Sequence, residues 1–258
     1  MEINGIEMFY RITGEGEPVL FVHGLGGDIR GYEFQEDALA EHFTLLMPDQ
    51  RGHGHSDGPD ADAVSTEVFG NDLATFLKKL GYESVHVVGH SMGGMIAQQF
   101  ALDYPHLVDK LVLIDTTPRI TEETIDEVYS WREAQIEGGP EAYQEAAMRS
   151  TYPQEFMDNN PELIEYLMSK EDLVNQEGVL AAGLGMASFD ATDRLPEISA
   201  ETLIIHGEED VIMDISLAKL MHDRIPHSKI ITFPECGHSP TVQRQDELNQ
   251  ILIEFLAS

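Results

Sequence analysis

The chain has 258 residues, of which 47 are Asp or Glu and 15 are Lys or Arg, so its formal net charge is −32. Such a charge repels nucleic acids and anionic membranes, and we discount both as partners. The sequence starts without the basic and apolar stretches of a signal peptide, contains no run as long as a membrane helix, and has one cysteine, Cys236. These features predict a cytoplasmic protein with no internal disulfide.

Short apolar runs alternate with helical stretches along the chain, and this pattern predicts an α/β fold with parallel strands joined by crossover helices. A C-terminal amphipathic helix is predicted from about Gln243 to Leu256. The predicted strands are Glu7–Ile12, Val19–His23, Thr44–Pro48, Val85–Val88, Leu111–Ile114, Thr202–His206 and Lys229–Phe233.

A long segment from about Thr117 to Ala200 has no strand pattern and is interrupted at Gly138-Gly139-Pro140, Pro153 and Pro161. Structureless loops of this length are uncommon in compact domains. We therefore predict a helical cap over residues 117–200, inserted into a core made of residues 1–116 and 201–258. Most of the large apolar side chains of the cap are expected to pack against the core. They are Trp131, Met148, Met157, Met168 and Met186.

The segment Val85–Gly94 runs from an apolar strand into small residues around one serine. The order Gly89-His90-Ser91-Met92-Gly93 matches the Gly-x-Ser-x-Gly nucleophile motif, in which a tight turn between strand and helix exposes the serine hydroxyl. A short motif also occurs by chance, and the alternative is that Ser91 only caps a helix. The helical pattern of the following residues, Met95–Leu102, favours the nucleophile.

A serine hydroxyl needs a base to remove its proton and a third group to orient that base. Of the 11 histidines, His238 stands in a loop between a predicted strand and the C-terminal helix. We assign the acid to Asp210, which closely follows the strand Thr202–His206. The order Ser91, Asp210, His238 is that of α/β-hydrolases. Asp115 is the rival acid, because it ends the strand Leu111–Ile114.

Five motifs carry a resemblance to the α/β-hydrolase superfamily that covers nearly the whole chain. They are His23–Gly27, Asp49–Ser56, the turn at Ser91, Gly207–Asp210 and Gly237-His238. Within the superfamily the chain is most similar to small carboxylesterases and 3-oxoadipate enol-lactonase-like proteins, then to proline iminopeptidases and carbon–carbon bond hydrolases. Haloalkane dehalogenases and epoxide hydrolases carry aspartate at the position of Ser91, which argues against both.

The resemblance implies a mostly parallel central sheet flanked by helices, and a serine hydrolase of carboxylic esters that forms an acyl-enzyme on Ser91. It places an oxyanion hole at the backbone N–H groups of Leu25 and Met92, and it requires no metal or organic cofactor. The segment His23–Gly27 forms a glycine-rich loop. A phosphate-binding role for this glycine-rich loop is disfavoured, because it lacks a dinucleotide fingerprint and a P-loop lysine. The alternatives are an enol-lactonase or carbon–carbon bond hydrolase with the same triad, and a ligand sensor without turnover.

The acidic composition bears on the substrate and on the environment. Residues 121–193 hold 17 acidic and 3 basic side chains, so the cap disfavours anionic substrates and favours small or medium neutral esters or lactones. The protein is expected to act as a monomer or homodimer. Because molar salt screens self-repulsion, we hypothesise a halophilic source, and the alternative is an ordinary acidic cytosolic protein. His53 and His55 are interpreted as structural, since no cluster with metal-ligand spacing accompanies them.

Overall fold

A computed structural model describes residues 1–58, 61–170 and 175–258 of the chain. Its strands are β1 (Glu2–Ile3), β2 (Ile6–Glu7), β3 (Tyr10–Thr13), β4 (Glu17–Val22), β5 (Phe43–Pro48), β6 (Val85–His90), β7 (Val108–Ile114), β8 (Glu201–Gly207) and β9 (Ser228–Phe233). The last seven form one sheet in the order β3-β5-β4-β6-β7-β8-β9. Strand β3 is antiparallel to β5, and all other neighbours in this sheet are parallel.

Helices connect the parallel strands and cover both faces of the sheet, so the predicted α/β-hydrolase architecture is confirmed. The helices before the long insertion are α1 (Glu33–Ala40), α2 (Thr66–Leu80) and α3 (Met92–Asp103). The inserted helices are α4 (Glu122–Thr151), α5 (Gln154–Asn159), α6 (Pro161–Met168) and α7 (Gln176–Met186). The final helices are α8 (Ile215–Arg224), α9 (Pro240–Gln243) and α10 (Gln245–Leu256).

Two apolar clusters, one on each face of the sheet, form the core. One contains Phe76 of α2 and Phe100 of α3 together with Met221 of α8. The other contains Leu39 of α1 and Leu252 of α10. Strands covered on both faces read as continuous apolar runs, which explains why they were recognisable in the sequence. Ligands of such sheets bind beyond the carboxyl ends of the parallel strands.

The predicted first strand, Glu7–Ile12, was wrong in its extent. A turn at Asn4-Gly5 pairs β1 with β2, and only Tyr10–Thr13 joins the large sheet. Phe9 lies between them because its backbone bonds elsewhere: its N–H donates to Ser56 Oγ at 2.9 Å, and its carbonyl accepts from the Asp49 N–H at 3.0 Å.

The segment between β7 and β8 contains the helices α4 to α7, with mostly irregular backbone at its two ends. The break within α4 and the starts of α5 and α6 fall at the predicted glycine and proline residues. Gly139 has φ 81° and ψ −167°, which interrupts α4. Pro153 precedes α5, and Pro161 is the first residue of α6, where a missing N–H has no cost. The predicted C-terminal helix begins slightly later, at Gln245. Among the described helices, none is both long and apolar enough to cross a membrane.

Candidate active site

Ser91 lies at a strained turn between β6 and α3. Its φ of 56° and ψ of −122° place a residue with a side chain in a region that non-glycine residues rarely occupy. Three bonds hold the turn: the Ser91 N–H donates to the Ile114 carbonyl at 3.0 Å, and the Ser91 carbonyl accepts from the Gly94 N–H at 2.9 Å and from Thr116 Oγ1 at 2.7 Å. The surrounding structure therefore fixes a conformation that the isolated chain would avoid.

Small residues around Ser91 are required by close backbone packing. A Cβ atom on Gly93 would lie 1.9 Å from the Val22 carbonyl oxygen, and one on Gly89 would lie 2.4 Å from the Gly93 carbonyl oxygen. Both distances are impossible for real side chains, so the glycines allow α3 to start directly against the end of β4. The sequence motif thus corresponds to the turn that it predicted.

The structure brings Ser91, His238 and Asp210 into one hydrogen-bonded chain. His238 Nε2 lies 2.8 Å from Ser91 Oγ, and His238 Nδ1 lies 2.6 Å from Asp210 Oδ2. The carboxylate can only accept, so Nδ1 carries the proton and Nε2 is left with the lone pair that faces the serine hydroxyl. This is the arrangement that a base needs in order to take the serine proton.

The carboxylate of Asp210 is buried but well supplied with donors. Its Oδ1 accepts from the N–H groups of Ile212 at 2.8 Å and Met213 at 2.9 Å. Burial by itself raises the pKa of Asp210, but the nearby His238 and these hydrogen bonds outweigh burial and hold the pKa below its usual range. Asp210 is therefore the ionised partner of His238 at neutral pH.

The loop that carries His238 is held from three sides. Gly237 approaches Gly207 so closely that a Cβ on Gly207 would lie 2.1 Å from the Gly237 carbonyl oxygen. The His238 N–H donates to the carbonyl of Thr151, the last residue of α4, at 2.8 Å. His90 Nε2 lies 2.9 Å from the His238 carbonyl oxygen and must be its donor.

The glycine-rich loop after β4 lies directly beside Ser91. A Cβ on Gly24 would be 3.3 Å from Ser91 Cβ. His23 Nε2 accepts from the Gln50 N–H at 2.9 Å, so its Nδ1 carries the proton and donates to the Gly24 carbonyl at 2.9 Å. Since C=O and N–H point in opposite directions across a trans peptide, the Leu25 N–H points away from His23.

The rival acid, Asp115, also lies at this site. It is fully buried, and its Oδ1 accepts from the Gly207 N–H at 2.8 Å. Asp115, Asp210 and His238 offer ligand atoms that all lie within 4.8 Å of one another. The bond between His238 Nδ1 and Asp210 uses the lone pair that a metal would need, so hydrogen bonding describes this cluster better than metal ligation.

The surroundings of His53 and Cys236 indicate that these two residues have structural roles. The ring of His53 is buried 5.3 Å from the ring of His23, and burial lowers its pKa to about 4, so it is neutral. Cys236 is buried, and burial raises the pKa of its thiol, as expected for a filler rather than a nucleophile. A surface cavity of about 410 Å³ opens beside Asp210, but its lining includes neither Ser91 nor His238.

Comparisons with known proteins agree with this architecture. The chain is 28% identical over 255 residues to RutD of Yersinia enterocolitica, which is named a carbamate hydrolase, and the match covers 96% of this chain and 92% of that protein. A thermophilic esterase from Thermogutta terrifontis superposes with a TM-score of 0.88 at 32% identity, covering 98% of this chain and 93% of the other.

A third similarity concerns the fold alone. The enol-lactonase from Burkholderia xenovorans LB400 superposes with a TM-score of 0.90 at 23% identity, covering 99% of this chain and 98% of the other. The sequence profile of the alpha/beta hydrolase fold matches residues 17–244, which include Ser91, Asp210 and His238. The chain therefore belongs to the alpha/beta hydrolase family, and its relatives include hydrolases.

Proposed function

We propose that the protein is a serine hydrolase of neutral carboxylic esters or lactones, with Ser91 as nucleophile, His238 as base and Asp210 as the acid that orients it. His238 Nε2 takes the Ser91 proton while Oγ bonds to the ester carbonyl carbon. The tetrahedral intermediate collapses, and the alcohol leaves with the proton from His238. Water then attacks the acyl-enzyme with His238 as base, and the carboxylic acid departs from Ser91.

The observation that carries the proposal is the unbroken chain from Ser91 Oγ through His238 to Asp210, with bonds of 2.8 and 2.6 Å. A structural serine would need neither a lone pair directed at its hydroxyl nor a strained backbone. The bonds that join Asp210 to the Ile212 and Met213 amides hold the carboxylate in place. The imidazole is consequently positioned before any substrate arrives, which is what general-base catalysis requires.

We assign the oxyanion hole to the N–H groups of Leu25 and Met92. Met92 is the first residue of α3, and the first N–H groups of a helix have no acceptor within the helix. The Leu25 N–H points away from His23 in a loop that closely approaches Ser91. Fixed donors of this kind stabilise the developing negative charge without reorganising.

We further propose that the helices within residues 117–200 act as a cap that forms the acyl side of the pocket. Trp131, Ala181 and Met186 belong to the same apolar cluster as Met92, and Leu25 packs against that cluster. The oxyanion donors thus lie among apolar side chains under a strongly acidic segment. This environment favours an uncharged acyl group over a dicarboxylate.

The similarity to the Thermogutta terrifontis esterase, at 32% identity over 98% of the chain, supports ester chemistry. Carbamate hydrolysis is the second candidate, because the chain matches RutD over 96% of its length. A carbamate presents the same kind of carbonyl to Ser91. Enol-lactonase activity, carbon–carbon bond hydrolysis and ligand sensing without turnover are further outcomes that the experiment below distinguishes.

The test is a panel of nitrophenyl esters with rising acyl length, together with lactones, an aryl carbamate and a dicarboxylate monoester. We expect neutral esters to be the best substrates. Ser91→Ala should lower kcat/KM for them by about 10⁴-fold or more, since residues of such a triad act as a unit. Mass spectrometry of rapidly quenched enzyme should show the acyl group on Ser91.

The matched control is Ser239→Ala, which changes a buried serine that neighbours His238 and bonds to Thr241 Oγ1 at 2.9 Å. Its effect should be far smaller than that of Ser91→Ala. Ester turnover that survives Ser91→Ala would overturn the proposal. A stoichiometric conformational change on ligand binding, without turnover, would indicate a sensor instead.

A further inference from the structure

Asp115 is a buried carboxyl group for which the proposed hydrolysis provides no role. It follows β7, whose neighbour in the sheet, β8, leads to Asp210. Its Oδ2 has no hydrogen-bond partner among the described residues. Its φ of 42° places a non-glycine residue in the left-handed region, and strain of this kind concentrates at functional sites.

The position of Asp115 puts a second carboxyl group within reach of the same imidazole. Carboxyl oxygens of Asp115 and Asp210 and a ring nitrogen of His238 all lie within 4.8 Å of one another. Two carboxylates that share one site cannot both ionise at low cost. One of the two must therefore keep a proton while the other is charged.

The hydrogen bonds decide which carboxyl group is charged. Asp210 accepts from the Ile212 and Met213 amides and from His238. Among the described donors Asp115 has one, the Gly207 N–H. Burial raises the pKa of Asp115 well above its usual range, and the charge of Asp210 raises it further.

Two other titratable groups face this pair. His206 Nδ1 lies 3.6 Å from Asp115 Oδ1 and has no closer partner among the described residues. Its Nε2 lies 2.7 Å from the Met213 carbonyl oxygen and donates to it, and burial lowers the pKa of His206, so the ring is neutral and leaves the proton on Asp115. Cys236 is also near, and burial raises the pKa of its thiol, so it adds no charge.

We propose that Asp115 is a reserve acid: it holds a proton while Asp210 is ionised, and it becomes the carboxylate that supports His238 when the charge of Asp210 is removed. The proposal rests on the proposed function of Ser91 and His238. In an Asp210→Asn variant burial still raises the pKa of Asp115 but the charge of Asp210 no longer does, and we expect the Asp115 proton to pass to solvent. The carboxylate that remains stabilises the imidazolium that forms when His238 takes the Ser91 proton.

The first experiment is a double-mutant cycle with Asp115→Asn, Asp210→Asn and the double variant, measured as kcat/KM for the best nitrophenyl ester. Removing the acid of a serine-protease triad costs about 10⁴-fold, and we expect Asp210→Asn to lose about 10²- to 10³-fold because Asp115 takes over in part. Asp115→Asn should then cost about tenfold more in the Asp210→Asn background than in the intact protein.

Asparagine is the suitable replacement because it tolerates positive φ and resembles a protonated aspartate. Its Oδ1 can still accept from the Gly207 N–H. The matched control is Asp49→Asn, another buried carboxyl group, which accepts from the Ile29 and His55 N–H groups at 2.8 Å. Asp49→Asn should change kcat/KM by the same factor in both backgrounds. Equal factors for Asp115→Asn in the two backgrounds would overturn the proposal.

The second experiment detects the proton without any assay of activity. The folded protein keeps a proton on Asp115 that the unfolded chain loses above a pKa of about 3.9. As the pH rises from that value towards the raised pKa of Asp115, the unfolding equilibrium constant of the intact protein should rise about tenfold per pH unit relative to Asp115→Asn. Urea denaturation at several pH values measures this ratio, and a constant ratio contradicts the proposal.

Infrared difference spectroscopy also tests whether Asp115 carries a proton. It does not need the Asp115→Asn variant, so it still works if that variant fails to fold. The carbonyl band of a protonated carboxyl group should be present in the intact protein and lost in Asp210→Asn at the same pH. A band that persists contradicts the reserve role. If Ser91→Ala retains activity, the proposed function fails, whereas the denaturation and infrared results for Asp115 stand by themselves.

Discussion

At the scale of single residues, His90 connects the nucleophile turn to the base. It ends β6 immediately before Ser91, and its Nε2–H donates to the His238 carbonyl across 148 positions of sequence. Burial, together with a smaller effect of the neighbouring His238, lowers the pKa of His90 to about 4. His90 is thus neutral at physiological pH and keeps the tautomer in which Nε2 is the donor.

We predict that His90→Leu lowers kcat for ester hydrolysis while KM changes little. Without this donor the buried carbonyl of His238 has no hydrogen bond, which lowers the stability by about 1–3 kcal/mol. The loop that carries His238 can then relax away from Ser91. A misplacement of about 1 Å can cost about 10²-fold in rate. Steady-state kinetics on the best nitrophenyl ester measures the change.

The conservative control is His90→Gln, whose amide can donate to the same carbonyl and should recover a large part of kcat. Thermal denaturation of both variants separates a loss of fold from a loss of positioning. Full activity in His90→Leu would show that His90 only fills space.

At the scale of elements, the inserted helix α7 packs against loops of the core. The Val64 N–H donates to the Ala181 carbonyl at 2.9 Å. Glycines allow the approach, since a Cβ on Gly178 would lie 1.8 Å from the Gly52 carbonyl oxygen. Val179 packs beside Gly26 in the glycine-rich loop. The helix therefore links the proposed acyl pocket to the loops beneath it.

Gly185→Ala should displace α7 and change the preference for acyl length. The new Cβ would lie 2.0 Å from the Val64 carbonyl oxygen, and overpacking of this kind costs about 1–3 kcal/mol. Because Val179 lies on the same helix, its side chain moves with it. Melting temperature and the ester panel together report both effects.

Gly183→Ala is the matched control, because a Cβ at Gly183 would meet nothing within 4 Å. In a helix, alanine is favoured over glycine by about 1 kcal/mol, so this variant should be at least as stable as the parent. Equal destabilisation by the two substitutions would show that the contact with Val64 is unimportant.

The elements also show how far the sequence determines the fold. Strands β4 to β8 are largely buried on both faces, so each appears as an apolar run that is hard to miss. The interruption at Phe9, which separates β2 from β3, is associated with hydrogen bonds between Phe9 and the distant residues Asp49 and Ser56. A local pattern carries no trace of such partners.

At the candidate site, too, local sequence patterns were predictive and contacts between distant residues were not. Ser91 and His238 were predictable because the turn and the loop have local signatures. Asp115 and Asp210 remained alternatives in the sequence, since each closely follows a strand of the sheet. The structure shows why both were plausible: β7 and β8 are neighbours, and their ends bring both carboxyl groups to His238. Hydrogen-bond donors, which the sequence does not display, separate the two.

At the scale of the whole molecule, charge is the dominant feature. With 47 acidic and 15 basic side chains, the acidic groups outnumber the basic ones by 32. Several cations are already used in ion pairs, such as Arg51 with Asp72 at 2.8 Å and Arg11 with Glu36 at 2.7 Å. The excess negative charge opposes compaction by self-repulsion.

We therefore predict that the melting temperature rises between about 0.1 M and about 2 M sodium chloride, as the Debye length falls from about 10 Å to about 2–3 Å.

The variant Glu137→Lys tests whether charge screening causes this rise in melting temperature. Glu133 and Glu137 are exposed and one turn apart on α4, so the variant replaces a repulsive pair by an attractive one worth about 0.2–0.5 kcal/mol. It should be more stable than the parent at low salt, and this advantage should vanish in 2 M salt. A melting temperature that is unchanged or lower at high salt would end the halophilic hypothesis, and an advantage that persists there would assign the salt effect to something other than charge screening.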